Sequence, residues 1–179
     1  MNLKLNREYA LRHFGVALLF AALCGWFAFD GGIAWPAENA AWEKRTGTTV
    51  AAALAAHPEL RHEHEKANRD DIPPHWPHEL TRQFQFAGLC GLAALVIAAL
   101  AGLDARRTLS WDDHEMCGSM TGGRPIAFSD IVGVEDAQWK KKGIIVLLAR
   151  DGRRVKLDAW HHVGVNELVE KVLAQKPGA

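Results

Sequence analysis

FAGLCGLAALVIAALAGL, residues 86–103, is apolar through all 18 positions, and it lies between Arg82 on one side and Asp104, Arg106 and Arg107 on the other. As a helix rising 1.5 Å per residue it covers roughly 27 Å, close to the ~30 Å hydrocarbon core of a bilayer. A helix packed in a soluble core keeps a polar face, and this run has none. The reading is a transmembrane helix over residues 81–103, with the rest of the chain divided into what precedes it and what hangs from it.

Upstream, Lys4, Arg7 and Arg12 precede a second apolar run, Phe14–Phe29, which Asp30 to Trp35 extend toward an interface. A basic segment before an apolar one also describes a signal peptide, but no small-x-small cleavage site ends this run, so an uncleaved helix over 14–35 is preferred. Basic residues on both outer flanks favour residues 1–13 and 104–179 in the cytoplasm, with 36–80 outside, in the inner membrane. Trp35 and Trp76 fall near the ends of the two runs, where amphipathic rings favour the headgroup level.

Small residues recur every four positions in each run: Ala17, Ala21 and Gly25 in the first, Cys90, Ala94, Ala98 and Gly102 in the second. In lipid such stripes let helix backbones approach, either as a hairpin or between two copies of the chain. The three cysteines, Cys24, Cys90 and Cys117, have no paired spacing, which argues against a disulfide or zinc framework. The formal net charge is zero, so no global field favours nucleic acid.

The segment 36–80 reads as partly helical. Pro36 opens a helix that Gly47 ends, Thr48 or Thr49 caps another through VAAALAA, and IPPHWP at 72–77 is an extended return to the membrane. Five histidines lie here, His57, His62, His64, His75 and His78. His62 and His64 are the candidate metal ligands, but on a helix they point about 200° apart, so solvated histidines are the preferred reading and no cofactor is expected.

Beyond residue 104 the hydrophobic period changes and strand-like runs appear. IIVLLAR, Asp151-Gly152 and RRVKLDAW form the clearest hairpin: Val155, Leu157 and Ala159 alternate with Arg154, Lys156 and Asp158. Val165, Leu168, Val169, Val172 and Leu173 then share one face of a terminal helix, with Glu167 and Lys171 spaced as an i,i+4 pair. An antiparallel sheet closed by this helix is the expected α+β domain.

The succession LSWDD, a glycine turn, PIAFSDIVGVE, W-KKKG-IIVLLA-RDG-RRVKLD and a closing ELVEKVL helix resembles the small pleckstrin-homology-like domains attached to bacterial membrane spans. A complete domain of that family has seven strands and a terminal helix, of which five or six strands are legible here. The resemblance implies a PH-like fold for 104–179 and a binding role.

Charge in this region is segregated. Residues 104–136 carry three basic and seven acidic side chains, net −4, whereas residues 140–156 carry seven basic and one acidic, net +6. Lys140, Lys141, Lys142, Arg153, Arg154 and Lys156 are therefore the candidate contacts with anionic lipid or an acidic protein partner. No GxSxG, P-loop or dinucleotide fingerprint occurs, and Asp158 with His161 or His162 is the best acid–base pair in reach. The expected protein is a two-span, membrane-anchored binding or scaffolding module that is not an enzyme, partnered by membrane lipids and by another protein or its own copy. The alternatives are a pH or metal sensor using the outer histidines and, behind it, a small membrane-bound enzyme.

Overall fold

The computed structural model describes residues 1–56, 58 and 72–175, and in chain order the elements are as follows. Strand β1 (Lys4–Leu5) leads into helix α1 (Arg7–Phe29), and a π-helical turn, Asp30–Ala34, joins α1 to α2 (Trp35–Thr46). Helices α3 (Val50–Ala56) and α4 (Pro77–Ala105) follow. Then come strands β2 (Ser110–Trp111), β3 (Glu115–Cys117), β4 (Ile126–Ala127) and β5 (Ile131–Glu135). The one-turn helix α5 (Trp139–Lys142), β6 (Ile144–Ala149), β7 (Arg154–Asp158), β8 (His162–Val163) and α6 (Val165–Ala174) complete the chain. The chain forms two units, one of residues 1–15 with 97–179 and one of residues 16–96.

Two helices are long and apolar enough to cross a membrane: the continuous stretch Arg7–Thr46 and Pro77–Ala105. Only 11% and 17% of their most apolar windows are buried, so neither is the wrapped core helix of a soluble fold. The first starts at Arg7, before the apolar run itself. The side chain of Asn6 accepts the Glu8 amide at 3.0 Å as a cap, and Arg12 pairs with Glu8 one turn away at 3.4 Å, which carries the helix through polar residues. At Trp76 the start of α4 is fixed by Pro77 in its first turn and by the Glu79 carboxylate, which accepts the Trp76 amide at 2.8 Å.

Within the unit 16–96, α1 and α4 approach through small and aromatic residues. A side chain added at Gly91 would meet Cys24 Sγ at 3.3 Å, one added at Gly31 would meet Gln83 Cβ at 3.0 Å, and the Phe27 ring packs at a tilt against Phe86 with centroids 5.5 Å apart. Helix α2 ends at Gly47 and α3 is capped by Thr49, whose hydroxyl accepts the Ala52 amide at 3.1 Å, both as the sequence predicts.

The other unit is a small β-rich body. Strands β5, β6 and β7 form an antiparallel sheet in that order, with Ile144 opposite Asp158 and Leu148 opposite Arg154 in the hairpin. Val155 and Leu157 are buried on its inner face, as their alternation predicts, and β6 is the central strand. Strands β2, β3 and β4 form a second antiparallel sheet. Strand β1 pairs with β8 (Lys4 opposite Val163, Leu5 opposite His162), and Asn2 bridges to Ser110 in β2. The first five residues therefore run between β8 and β2, and Leu3 joins the core with Leu109, Trp111, Met116, Leu147, Leu157 and Leu168. Helix α6 contributes Val165, Leu168, Val169 and Val172 to that core. Leu173 departs from the expected inward face and is 40% exposed, and Lys171 pairs with Asp113 in the β2–β3 turn, an ion partner that its i,i+4 spacing from Glu167 does not foreshadow.

Candidate functional site

Five of the six basic side chains singled out from sequence fall into groups with different occupations, and the sixth, Lys156, is exposed on β7 and lines a small cavity with His162. Lys140, Lys141 and Lys142 form the exposed turn α5 between β5 and β6, and none of them has an ion-pair partner among the described residues. Arg153 is fully engaged. Its Nε donates to Asp151 Oδ2 at 2.6 Å, and its terminal nitrogens donate to the carbonyls of Thr121, Arg124 and Pro125 at 2.9–3.1 Å. A planar guanidinium with its donors spread over three carbonyls staples the β6–β7 turn to the loop before β4 and has little left to offer a partner. Arg154 reaches Glu135 Oε2 at 2.7 Å across the sheet. Asp151, held by the backbone and side chain of Arg153, has its carboxyl below the ordinary range.

The second site is the junction where the β7–β8 turn meets the helices. His161 Nδ1 lies 3.2 Å from Asp104 Oδ2 near the end of α4, and its Nε2 lies 3.8 Å from Asp158 Oδ2. The Tyr9 hydroxyl donates to the same Asp104 oxygen at 2.7 Å, and its ring packs, tilted, against those of His13 and His161 at centroid distances of 4.0 and 4.1 Å. Arg107 closes the far side of Asp104 at 3.3 Å, and the Asn6 amide donates to the His161 carbonyl at 2.7 Å. Burial and the bond to Asp104 push the Tyr9 phenol up to about 12. One aspartate thus joins a residue of α1, a residue after α4 and the sheet.

The acid–base pair suggested by the sequence resolves into two different histidines. His161 is the one held by carboxylates. His162 is buried at 3% exposure with neither ring nitrogen hydrogen-bonded, beside a cavity of about 30 Å³ lined by Arg107, Met120, Lys156, Asp158 and His161. Burial holds its pKa below the ordinary imidazole value.

In the other unit, His75 stacks on Trp35 with centroids 4.2 Å apart, reaches Glu38 Oε2 at 2.8 Å and has its backbone amide held by Asn39. His57, His62 and His64 lie outside the described residues, and no cluster that could hold a metal ion occurs among the described residues. Of the small-residue stripes, Ala17 is buried, Cys90, Ala94, Ala98 and Gly102 are half-buried, and Ala21 and Gly25 are exposed.

No family model, curated protein or solved structure matches the chain. Sequence reasoning found the lysine cluster but not the Tyr9–Asp104–His161 junction, because its members are separated by up to 152 positions and none belongs to a short motif. The one available signal was the acidic Asp104 beside an apolar run, directly followed by basic residues.

Proposed function

We propose that this chain is a two-span membrane protein whose C-terminal domain, PH-like in character, lies in the cytoplasm beneath the inner membrane and works there as a binding or scaffolding module. The observation that carries the reading is the joining of residues 1–15 to the β-rich body through β1 and the Tyr9–Asp104–His161 junction. A bilayer crossed by both apolar helices then has the two ends of the chain on one side, and the basic flanks Lys4, Arg7, Arg12, Arg106 and Arg107 favour the cytoplasmic side. The resemblance to PH-like domains supports a recognition role, as does an unpaired lysine turn on a surface otherwise laced with ion pairs. His161 is held by two carboxylates and a ring, an arrangement suited to an anchor between helix ends and sheet. Fusion of a reporter active only in the periplasm tests the reading. Such a reporter is expected to be silent after residue 175 and active when inserted between α3 and residue 72. A strong signal from the C-terminal fusion would overturn it, because the domain would then face the opposite compartment.

A further inference from the structure

We propose that Trp160 and the lysine turn Lys140–Lys142 form the surface by which the β-rich body docks on the anionic leaflet of the membrane that holds its own helices, an inference that rests on the two-span reading. Trp160 is 62% exposed, an unusual position for the largest apolar side chain in a body with a formed core. Its place is set rather than free. The Asp158 carboxylate accepts the Trp160 amide at 2.9 Å and turns the chain, and one edge of the indole rests on Gly143. Gly143 adopts φ +64, and a Cβ there would lie 3.0 Å from the indole, so the position favours glycine on both counts. The Gly143 carbonyl also accepts the Ala159 amide at 2.9 Å, which fastens the end of α5 to the Trp160 turn.

The next residue ties this turn to the helix ends. His161 touches Asp104 and Tyr9, which stand at the polar ends of the two apolar helices. Trp160 is thus one residue from the point where the sheet meets the helix ends, and Gly143, which ends the lysine turn, is bonded to Ala159 beside it. An indole next to the end of a turn of three exposed lysines, without ion-pair partners among the described residues, matches the headgroup level of an anionic leaflet, where aromatic rings and basic side chains both concentrate. The neighbouring acids do not cancel it. Glu135 is taken by Arg154 and Asp158 by the turn, which leaves Asp136, with no side-chain partner among the described residues, against three lysines. Arg153 and Arg154, at the far end of β7 and already paired, take no part. A lysine at such a surface is worth about a fivefold shift in population, so the three favour the docked orientation by about a hundredfold at low salt.

The test uses the full chain reconstituted in nanodiscs of phosphatidylcholine, with and without phosphatidylglycerol, containing lipids brominated high on the acyl chain. Subtracting the emission of Trp160→Phe from that of the unaltered chain isolates Trp160 among the seven tryptophans. In anionic discs the difference spectrum is expected to be blue-shifted and quenched by bromine. Quenching is expected to be lost in neutral discs, in high salt and in the variant Lys140→Glu/Lys141→Glu/Lys142→Glu, and retained in Arg150→Glu, which changes a charge at the other end of β6. A chain that inserts, by quenching of its remaining tryptophans, but whose Trp160 is never quenched overturns the docking surface alone and leaves this face to a protein partner. Equal quenching in neutral and anionic discs overturns the role of the lysines. A chain that fails to insert overturns the two-span reading and this inference with it.

Discussion

Tyr9 is the single tyrosine of the chain, so its phenol reports directly on the junction it helps to build. Burial and the bond to the Asp104 carboxylate hold the proton on, raising its pKa to about 12 against an ordinary value near 10. The unfolded chain loses that proton first as pH rises. The stabilisation is therefore complete below about pH 10 and is lost between roughly 10 and 12. Absorbance of the phenolate is expected to titrate near pH 12 in the folded protein and near 10 in denaturant. A folded-state midpoint near 10 would mean that the hydroxyl is free of Asp104. Tyr9→Phe is expected to cost about 1.5–3 kcal/mol, the value of one hydrogen bond to a charged group, and to leave the ring packing with His13 and His161 in place.

At the scale of elements, what was legible followed local chemistry. The Asp151-Gly152 hairpin, the alternation of Val155 and Leu157, the Pro36 to Gly47 helix and the apolar face of α6 are each written within a dozen residues. Strands β1, β3 and β8 are two or three residues long and carry no period of their own. Met116 in β3 is fully buried between an exposed glutamate and a half-buried cysteine, and only its partners Trp111 and Ile126 reveal why. In the same way the lysines were visible as a cluster, while the withdrawal of Arg153 from the surface depends on three carbonyls some 30 positions away. Gly118 shows how tightly the short elements are set. A Cβ there would lie 2.2 Å from the Thr108 carbonyl oxygen and 2.8 Å from the Leu109 Cα, both rigid backbone atoms. Gly118→Ala is expected to cost more than the roughly 1–3 kcal/mol of ordinary overpacking, because β2 has to move away from the turn. A melting temperature equal to that of the unaltered chain would show that the turn relaxes freely.

At the scale of the whole molecule, the β-rich body is completed by the opposite end of the chain. The Leu3 amide donates to the Leu109 carbonyl at 2.8 Å, the Trp111 amide to Met1 at 2.9 Å, and β1 lies along β8. Burying Leu3 adds about 1.5–3 kcal/mol of apolar transfer energy to those bonds. A fragment starting at Asp104 therefore exposes the edges of β2 and β8 and an apolar slot, which also makes it a poor surrogate for binding studies. A synthetic peptide of residues 1–6 is expected to raise the melting temperature of the fragment 104–179 in a saturable way, reaching about 2.7 kcal/mol of stabilisation at a hundredfold excess over its dissociation constant. The same peptide with Leu3→Asp is expected to have no effect, since it places a charge in the slot. If the fragment alone melts where the peptide-saturated fragment does, β1 is decoration, and the link between the first five residues and the domain that ties both ends of the chain to one side is lost.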